Sequence, residues 1–155
     1  MSSSTDGAAR RARAQDASEV ARLYAQLVSN PALRVLPERL AELERASDAA
    51  LFVIDGGERL LGTVLVALCP DAMFGDRPFA VVENIVVDET ARGRGIGRAL
   101  LAEVERFCLA SDCSKIMLLS AAERAPAHCF FERGGYSGDR KRGFVKYRSA
   151  FVGPN

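Results

Sequence analysis

Between Glu83 and Leu101 the chain reads ENIVVDETARGRGIGRALL. A β-branched run leads into glycines at 93, 95 and 97, and an amphipathic helical pattern begins at once. Glycine permits backbone angles that strain other residues, and it has no Cβ to hold a ligand away from the main-chain N–H groups. The first turn of a helix leaves N–H donors unpaired and carries a partial positive charge, so such a junction seats phosphate oxygens. Arg92, Arg94 and Arg98 add cationic side chains around it. The chemistry this spacing suits is the grip of a diphosphate. It does not suit every diphosphate ligand. Counted from Gly93, the third glycine of a G-x-G-x-x-G dinucleotide fingerprint falls on Arg98, and no acidic residue ends a second parallel strand about 20 residues on. No Lys-Ser or Lys-Thr pair follows the glycines, so the P-loop pattern fails too.

Other residues with chemical potential are few. Cys69, Cys108, Cys113 and Cys129 form no C-x-x-C pair, and His128 is the single histidine. That composition argues against a disulfide framework or a metal site, and for reduced thiols in a cytoplasm. Cys108, Cys113 and Cys129 read as core thiols, and His128 as a helix-surface or capping imidazole. Arg10–Arg13 (RRAR) has no interleaved aromatics, so it reads as a first strand with solvated arginines, with no role in nucleic-acid binding. Lys plus Arg is 21 and Asp plus Glu is 20. A net charge of +1 argues against a polyanion binder that works by overall charge and leaves room only for a local basic patch. Arginine outnumbers lysine 18 to 3, so anion contacts here are expected from guanidinium groups.

These residues need elements to position them. The 155 residues suit one domain, 1–155, with residues 1–7 frayed. A chain of this size buries roughly 70% of its extended surface and needs no covalent staple. The longest apolar stretch, Leu60–Cys69, is far shorter than the about 20 residues of a membrane span, and the opening MSSSTDGAARRARAQDASEV has no apolar signal region. From Asp16 a helix carries Val20, Leu23, Tyr24, Leu27 and Val28 on one face, with Asp16 or Ser18 as its cap. A second helix opens at Pro37 and turns Leu40 and Leu43 inward. ALFVID, then GG, then RLLGTVLVAL predicts a hairpin, and FAVVENIVV a further strand. The helix after the glycines points Leu100, Leu101, Val104, Phe107 and Cys108 inward, with Phe130 as core in a later one. KIMLLS is a short strand, residues 125–133 a helix stopped by Gly134 and Gly135, and GFVKYRS a last alternating strand. The order β-α-α-β-β-β-α-β-α-β gives a mixed α/β fold whose sheet is part antiparallel and part parallel.

Arg92-x-x-Gly95-x-Gly97 between a strand and a helix resembles the [QR]-x-x-G-x-[GA] segment of the GNAT superfamily of acyl-CoA-dependent N-acetyltransferases. The likeness extends to ENIVVD before the loop and to AHCFFERGGY at 127–136, where many members have A-H-x-F-Y-E-x-x-G-[FY]. With the early helix, the FVID…LLGTVLV hairpin and the closing KRGFVKYRS, it covers about residues 8–149. The resemblance implies the GNAT fold: a central mixed, mostly antiparallel sheet flanked by helices, with central strands that splay between ENIVV and KIMLL. It implies acetyl-CoA as cosubstrate, no metal, and transfer of the acetyl group to a primary amine of a small molecule by direct attack. Aminoglycosides, amino sugars, polyamines, amino acids and protein N-termini are all acceptors on this fold, and the sequence does not choose among them. The family tendency is a homodimer, without nucleic acid or membrane as partner.

Residue by residue, the likeness assigns the diphosphate to the backbone of Arg92, Gly93, Arg94, Gly95, Ile96, Gly97 and Arg98. It assigns the pantetheine arm to Ile85, Val86 and Val87, and a further cosubstrate contact to Phe131. Glu83 takes the position of a general base, acting directly or through water; without the family it reads as a solvated or salt-bridged strand carboxylate. Phe131 stands where the family commonly has a tyrosine that protonates the departing thiolate. Tyr136, Cys129 or water are the substitutes. Met73 and Phe74, with Asp71 or Asp76, are candidates for the acceptor pocket. Phe131 also keeps a second reading open, a non-catalytic module that binds or senses acyl-CoA.

Overall fold

The computed structural model describes residues 7–121 and 124–153, so the expected fraying at 1–7 lies, apart from Gly7, outside the described residues. The chain divides into a compact part that ends at Leu118 and another that begins at Leu119.

The first part holds a five-stranded sheet in the order β1-β2-β3-β4-β5. Its strands are β1 (Ala9–Arg11), β2 (Ala49–Asp55), β3 (Leu60–Cys69), β4 (Phe79–Val87) and β5 (Ile116–Leu118). β1 to β4 pair antiparallel, and β5 joins β4 in parallel. Helices α1 (Ala17–Leu27) and α2 (Pro37–Arg45) precede the hairpin, and α3 (Ile96–Ala110) connects β4 to β5. The period-two alternation of β2 shares its side chains between two cores. Ala50, Phe52 and Ile54 meet Ile96, Leu100 and Val104 of α3. Leu51 and Val53 meet Val20 and Leu23 of α1 and Leu40 of α2. Each such aliphatic side chain taken out of water contributes about 1.5–3 kcal/mol, so both faces of the sheet are firmly covered.

Arg10 and Arg11 depart from the expected solvated arginines. Arg10 grips Asp16 at 2.8 and 3.0 Å and Asp55 at 3.0 Å. Arg11 donates to the carbonyls of Leu43, Ala46 and Ala49, and its guanidinium lies 6.0 Å from the Phe52 ring centroid. Asp16 accordingly does not cap α1 through its side chain. Its carboxylate is already taken by Arg10 and by the N–H of Arg13. Val28 falls outside α1 and is exposed. Phe107 and Cys113 are half-buried at the margin of the core, while burial pushes the thiol of Cys108 up to about 12.

In the second part α4 (Ala125–Arg133) ends at Gly134 and Gly135, as the sequence predicts. The N–H of Tyr136 returns to the carbonyl of Phe131 at 3.1 Å. Phe131 is buried against Phe130, itself half-buried, and Tyr136, with ring centroids 5.3 and 6.2 Å away. Two expectations fail here. Cys129 is exposed, not core. GFVKYRS forms no strand: residues 143–147 are irregular and a 3-10 turn follows at Arg148–Ala150. Phe144 is 87% exposed and Tyr147 76% exposed. No described strand of this part pairs with the segment, and an unpaired strand leaves its main-chain hydrogen bonds to water.

Candidate active site

The sequence around residue 84 interrupts a β-branched run with asparagine, a poor strand former that tolerates left-handed backbone. Asn84 has φ +56°. Leu65 of β3 faces Glu83 and Thr63 faces Val86, so two steps along β3 match three along β4. This is a β-bulge, and it reverses the alternation of side chains. Before it, Ala80 and Val82 point to the α3 side; after it, Val86 points to the α1–α2 side and Ile85 and Val87 pack toward α3. The side chain of Asn84 is hydrogen-bonded with the phenol of Tyr24 on α1, whose ionisation burial pushes upward. Glu83, exposed, stands immediately before the bulge.

The bulge also marks where the sheet opens. β5 pairs with β4 at Ala80–Ile116, Val81–Met117 and Val82–Leu118 and nowhere beyond. From Glu83 to Val87 the β4 edge on that side has no strand partner among the described residues, while its other edge stays paired to β3. A free edge of this kind accepts an amide-bearing chain as an added strand.

Next, Asp88 caps the short 3-10 turn Glu89–Ala91 by accepting from the N–H of Thr90. Gln26 of α1 clamps this corner: its Nε2 donates to Asp88 at 3.2 Å and its Oε1 accepts from the N–H of Glu89 at 2.9 Å. Asp88 is 1% exposed. Its Oδ2 makes no hydrogen bond but faces the guanidinium groups of Arg22 at 3.4 Å and Arg59 at 3.6 Å. Burial pushes this carboxyl up, yet the Gln26 and Thr90 hydrogen bonds and the charge of Arg22 outweigh it and hold it below the usual carboxylate range.

The chain then enters the glycine turn. Gly93 and Gly95 have φ of +80° and +82°, and a Cβ at either would meet no protein atom within 4 Å. Gly95 is the N-cap of α3, and no side chain caps that end. Gly62 of β3 lets α3 approach, since a Cβ there would lie 2.9 Å from Ile96 and 3.0 Å from Leu100. The first turn of a four-turn helix is thus fixed against the sheet with its donors facing open space, an arrangement with the shape and partial charge of an anion seat. Arg92 and Arg98 are exposed and make no ion pair among the described residues. Arg94 is exposed as well, whereas Ile96 and Gly97 are buried.

The first part therefore brings together Glu83, the free edge at Ile85, Val86 and Val87, and the turn from Arg92 to Arg98. Phe131 and Tyr136 belong to the second part. His128 places Nε2 2.9 Å from the carbonyl of Ala121, a contact to the segment before α4 that does not cap the helix. Met73 and Phe74 are exposed in the loop before β4, where Asp71 accepts from the N–H of Met73. Tyr24, Gln26 and Asn84 were not singled out as site residues by sequence reasoning. Only asparagine within a β-branched run signals the bulge in advance.

The description Acetyltransferase (GNAT) family belongs to the sequence model that matches residues 13–136. The chain is 30% identical over 78 residues to glucosamine 6-phosphate N-acetyltransferase of Trypanosoma brucei brucei, a stretch covering 50% of this chain and 51% of that enzyme. The chain thus spans about half the length of this curated relative. Among solved structures it is similar to a Trypanosoma brucei acetyltransferase, with TM-score 0.75 and 24% identity over 90% of this chain and 98% of that one. Glucosamine-6-phosphate N-acetyltransferase from Arabidopsis thaliana aligns with TM-score 0.77 and 22% identity over 90% and 97% of the two chains. At these identities the structures speak for the fold alone. With the match reaching across four-fifths of its length, the chain belongs to the Acetyltransferase (GNAT) family.

Proposed function

We propose that the chain transfers the acetyl group of acetyl-CoA to a primary amine of a small molecule by direct attack, with no acyl-enzyme. The observation that carries this reading is the continuity of β4. One strand provides a free edge, Glu83 at the mouth of the gap, and a bare-amide helix start a few residues later. The N–H groups from Arg92 to Arg98 hold the diphosphate, and the edge at Ile85–Val87 hydrogen-bonds the two amides of the pantetheine arm. Both reactants are then held side by side, which supplies up to roughly 7–11 kcal/mol of the acceleration.

An alkylammonium with a pKa near 10 is neutral in only about one part in a thousand at pH 7, so it must lose a proton first. Glu83 takes that proton, directly or through water. The amine nitrogen attacks the thioester carbonyl, the tetrahedral intermediate gives up its second N–H proton to water, the C–S bond breaks, and coenzyme A leaves as a thiolate. A thiol with pKa near 8.5 is a fair leaving group, so the hydroxyl missing at Phe131 is tolerable; Tyr136 or water supplies the last proton. Cys129 is the other candidate donor. The free cysteines are in keeping with a cytoplasmic setting. The amino-sugar phosphate enzymes among the relatives make an amino sugar the first acceptor to try.

The test is release of free thiol from acetyl-CoA against a panel of primary amines that includes glucosamine and glucosamine 6-phosphate. Turnover with at least one amine is expected. Tight CoA binding with no turnover on any amine would overturn the enzymatic reading and favour a binding module.

A further inference from the structure

The phenol of Tyr24 on α1 reaches the bulge of β4, where it is hydrogen-bonded with the side chain of Asn84. Its ring packs beside the cluster of Leu23, Leu51, Val53 and Val86, so the hydroxyl is carried on a fixed arm. Asn84 is exposed, and water would satisfy its amide if the phenol were absent. A hydrogen bond to such a partner adds little to stability, because folding exchanges one good bond for another. What it adds is direction. Asn84 stands at φ +56°, a conformation that asparagine tolerates but does not enforce. Glu83 is the residue before it. Ala80 and Val82 pack toward α3, so the alternation of the strand turns Val81 and Glu83 to the α1 side, where Tyr24 lies. The Glu83 carboxylate makes no hydrogen bond or ion pair among the described residues, which leaves the backbone at the bulge to aim it. The far end of the open edge is held separately, by Gln26 on Asp88 and on the N–H of Glu89.

We infer that Tyr24 is a positioning residue: its bond to Asn84 holds the bulge, and through the bulge it aims Glu83 at the amine. The inference rests on the acetyl-transfer reading above, in which Glu83 takes the amine's proton, and deepens it by naming the group that acts through Glu83. Loss of one neutral hydrogen bond loosens the bulge about fivefold. Displacement of a reacting group by about 1 Å costs on the order of a hundredfold in rate. The effect therefore falls on kcat, whereas coenzyme A, seated beyond the corner that Gln26 clamps, is spared.

The experiment compares the wild type with Y24F, N84G, E83Q and the pairs Y24F/N84G and Y24F/E83Q. Phenylalanine keeps the ring in the core, and glycine adopts the left-handed backbone at 84 without strain, so thermal melts should show cooperative folding throughout. With an amine that the wild type acetylates, Y24F and N84G should each lower kcat about five- to fiftyfold, with the Kd for CoA within about twofold of wild type. Y24F/N84G should be no slower than the slower single variant, since both changes remove one bond. In the E83Q background, Y24F should change kcat less than about twofold. A merely structural tyrosine would slow E83Q as much as it slows the wild type, and that result overturns the inference. So does wild-type kcat in Y24F, or a slow Y24F beside an unimpaired E83Q. If no amine is acetylated, the acetyl-transfer reading fails, and amide hydrogen exchange decides the hold on the bulge by itself. Exchange about fivefold faster across Glu83–Val87 in Y24F supports that hold, and unchanged exchange overturns it.

Discussion

Replacing Gly95 with glutamate separates the ligand's demand on the glycine turn from the fold's demand. At φ +82° a side chain strains the backbone, but its Cβ meets nothing within 4 Å, so the fold loses only the left-handed penalty, about 1–2 kcal/mol. Gly57, in the β2–β3 turn, is the matched control, with φ +94° and equally open space. Gly57→Glu and Gly95→Glu should therefore lower Tm by similar amounts, about 2–8 °C for a chain of this size. Their effects on coenzyme A should differ widely. At Gly95 the new side chain fills the space where phosphate oxygens meet main-chain N–H groups. Losing two charge-assisted hydrogen bonds at about 1.5–3 kcal/mol each removes at least about 3 kcal/mol. That corresponds to a hundredfold or greater rise in Kd, on the order of 10². Calorimetric titration with CoA, beside thermal melts of all three proteins, reads both quantities. Wild-type affinity in Gly95→Glu would refute the assignment of the turn; equal loss in Gly57→Glu would show that the effect is merely structural.

Glu83→Gln should reduce turnover more at pH 7 than at pH 9, because the neutral fraction of an amine with pKa near 10 rises on the order of a hundredfold over that interval and makes a base less necessary; equal losses at both pH values would point to another group. Asp88→Ala should cost about 2–4 kcal/mol in denaturant titration, since it leaves Gln26 without its acceptor and Arg22 beside an uncompensated corner. A loss under about 0.5 kcal/mol, within the ordinary range for surface changes, would mean that the corner is held by other contacts. Asp16 gives a pH signature: the Arg10 hydrogen bond holds its carboxyl below the usual range against the opposing effect of burial. A group lowered in the folded state stabilises above its unfolded pKa, near 3.9, and loses that contribution as pH falls through the folded value. Asp16→Asn should therefore destabilise the chain at pH 7, with the gap to wild type narrowing only below about pH 4; a gap that stays constant down to the acid limit would contradict the Arg10 pairing.

How much of this was legible in the sequence depends on how local each signal is. The hairpin of β2 and β3, the α3 stripe and the glycine turn are governed by short-range rules, and their boundaries agree with the periodicity to within a few residues. The parallel addition of β5 could be read only through its place after α3. Arg10 and Arg11 misled because three arginines within four residues look solvated. Their partners Asp16, Asp55 and the carbonyls at the end of α2 come together only in the tertiary fold. The alternation of GFVKYRS predicts a strand, but alternation says nothing of whether a neighbour exists to pair with it. At the site, the seat for anions was visible in glycine spacing. The clamp by Gln26 and the bond between Tyr24 and Asn84 join residues far apart in sequence.

The most direct measurement of the central claim is a crystal structure of the chain grown with coenzyme A. The account predicts the diphosphate within hydrogen-bonding distance of the main-chain N–H groups between Arg92 and Arg98, and the pantetheine amides along the unpaired edge of β4 from Ile85 to Val87. Coenzyme A bound elsewhere, with that turn and edge left to solvent, would contradict it.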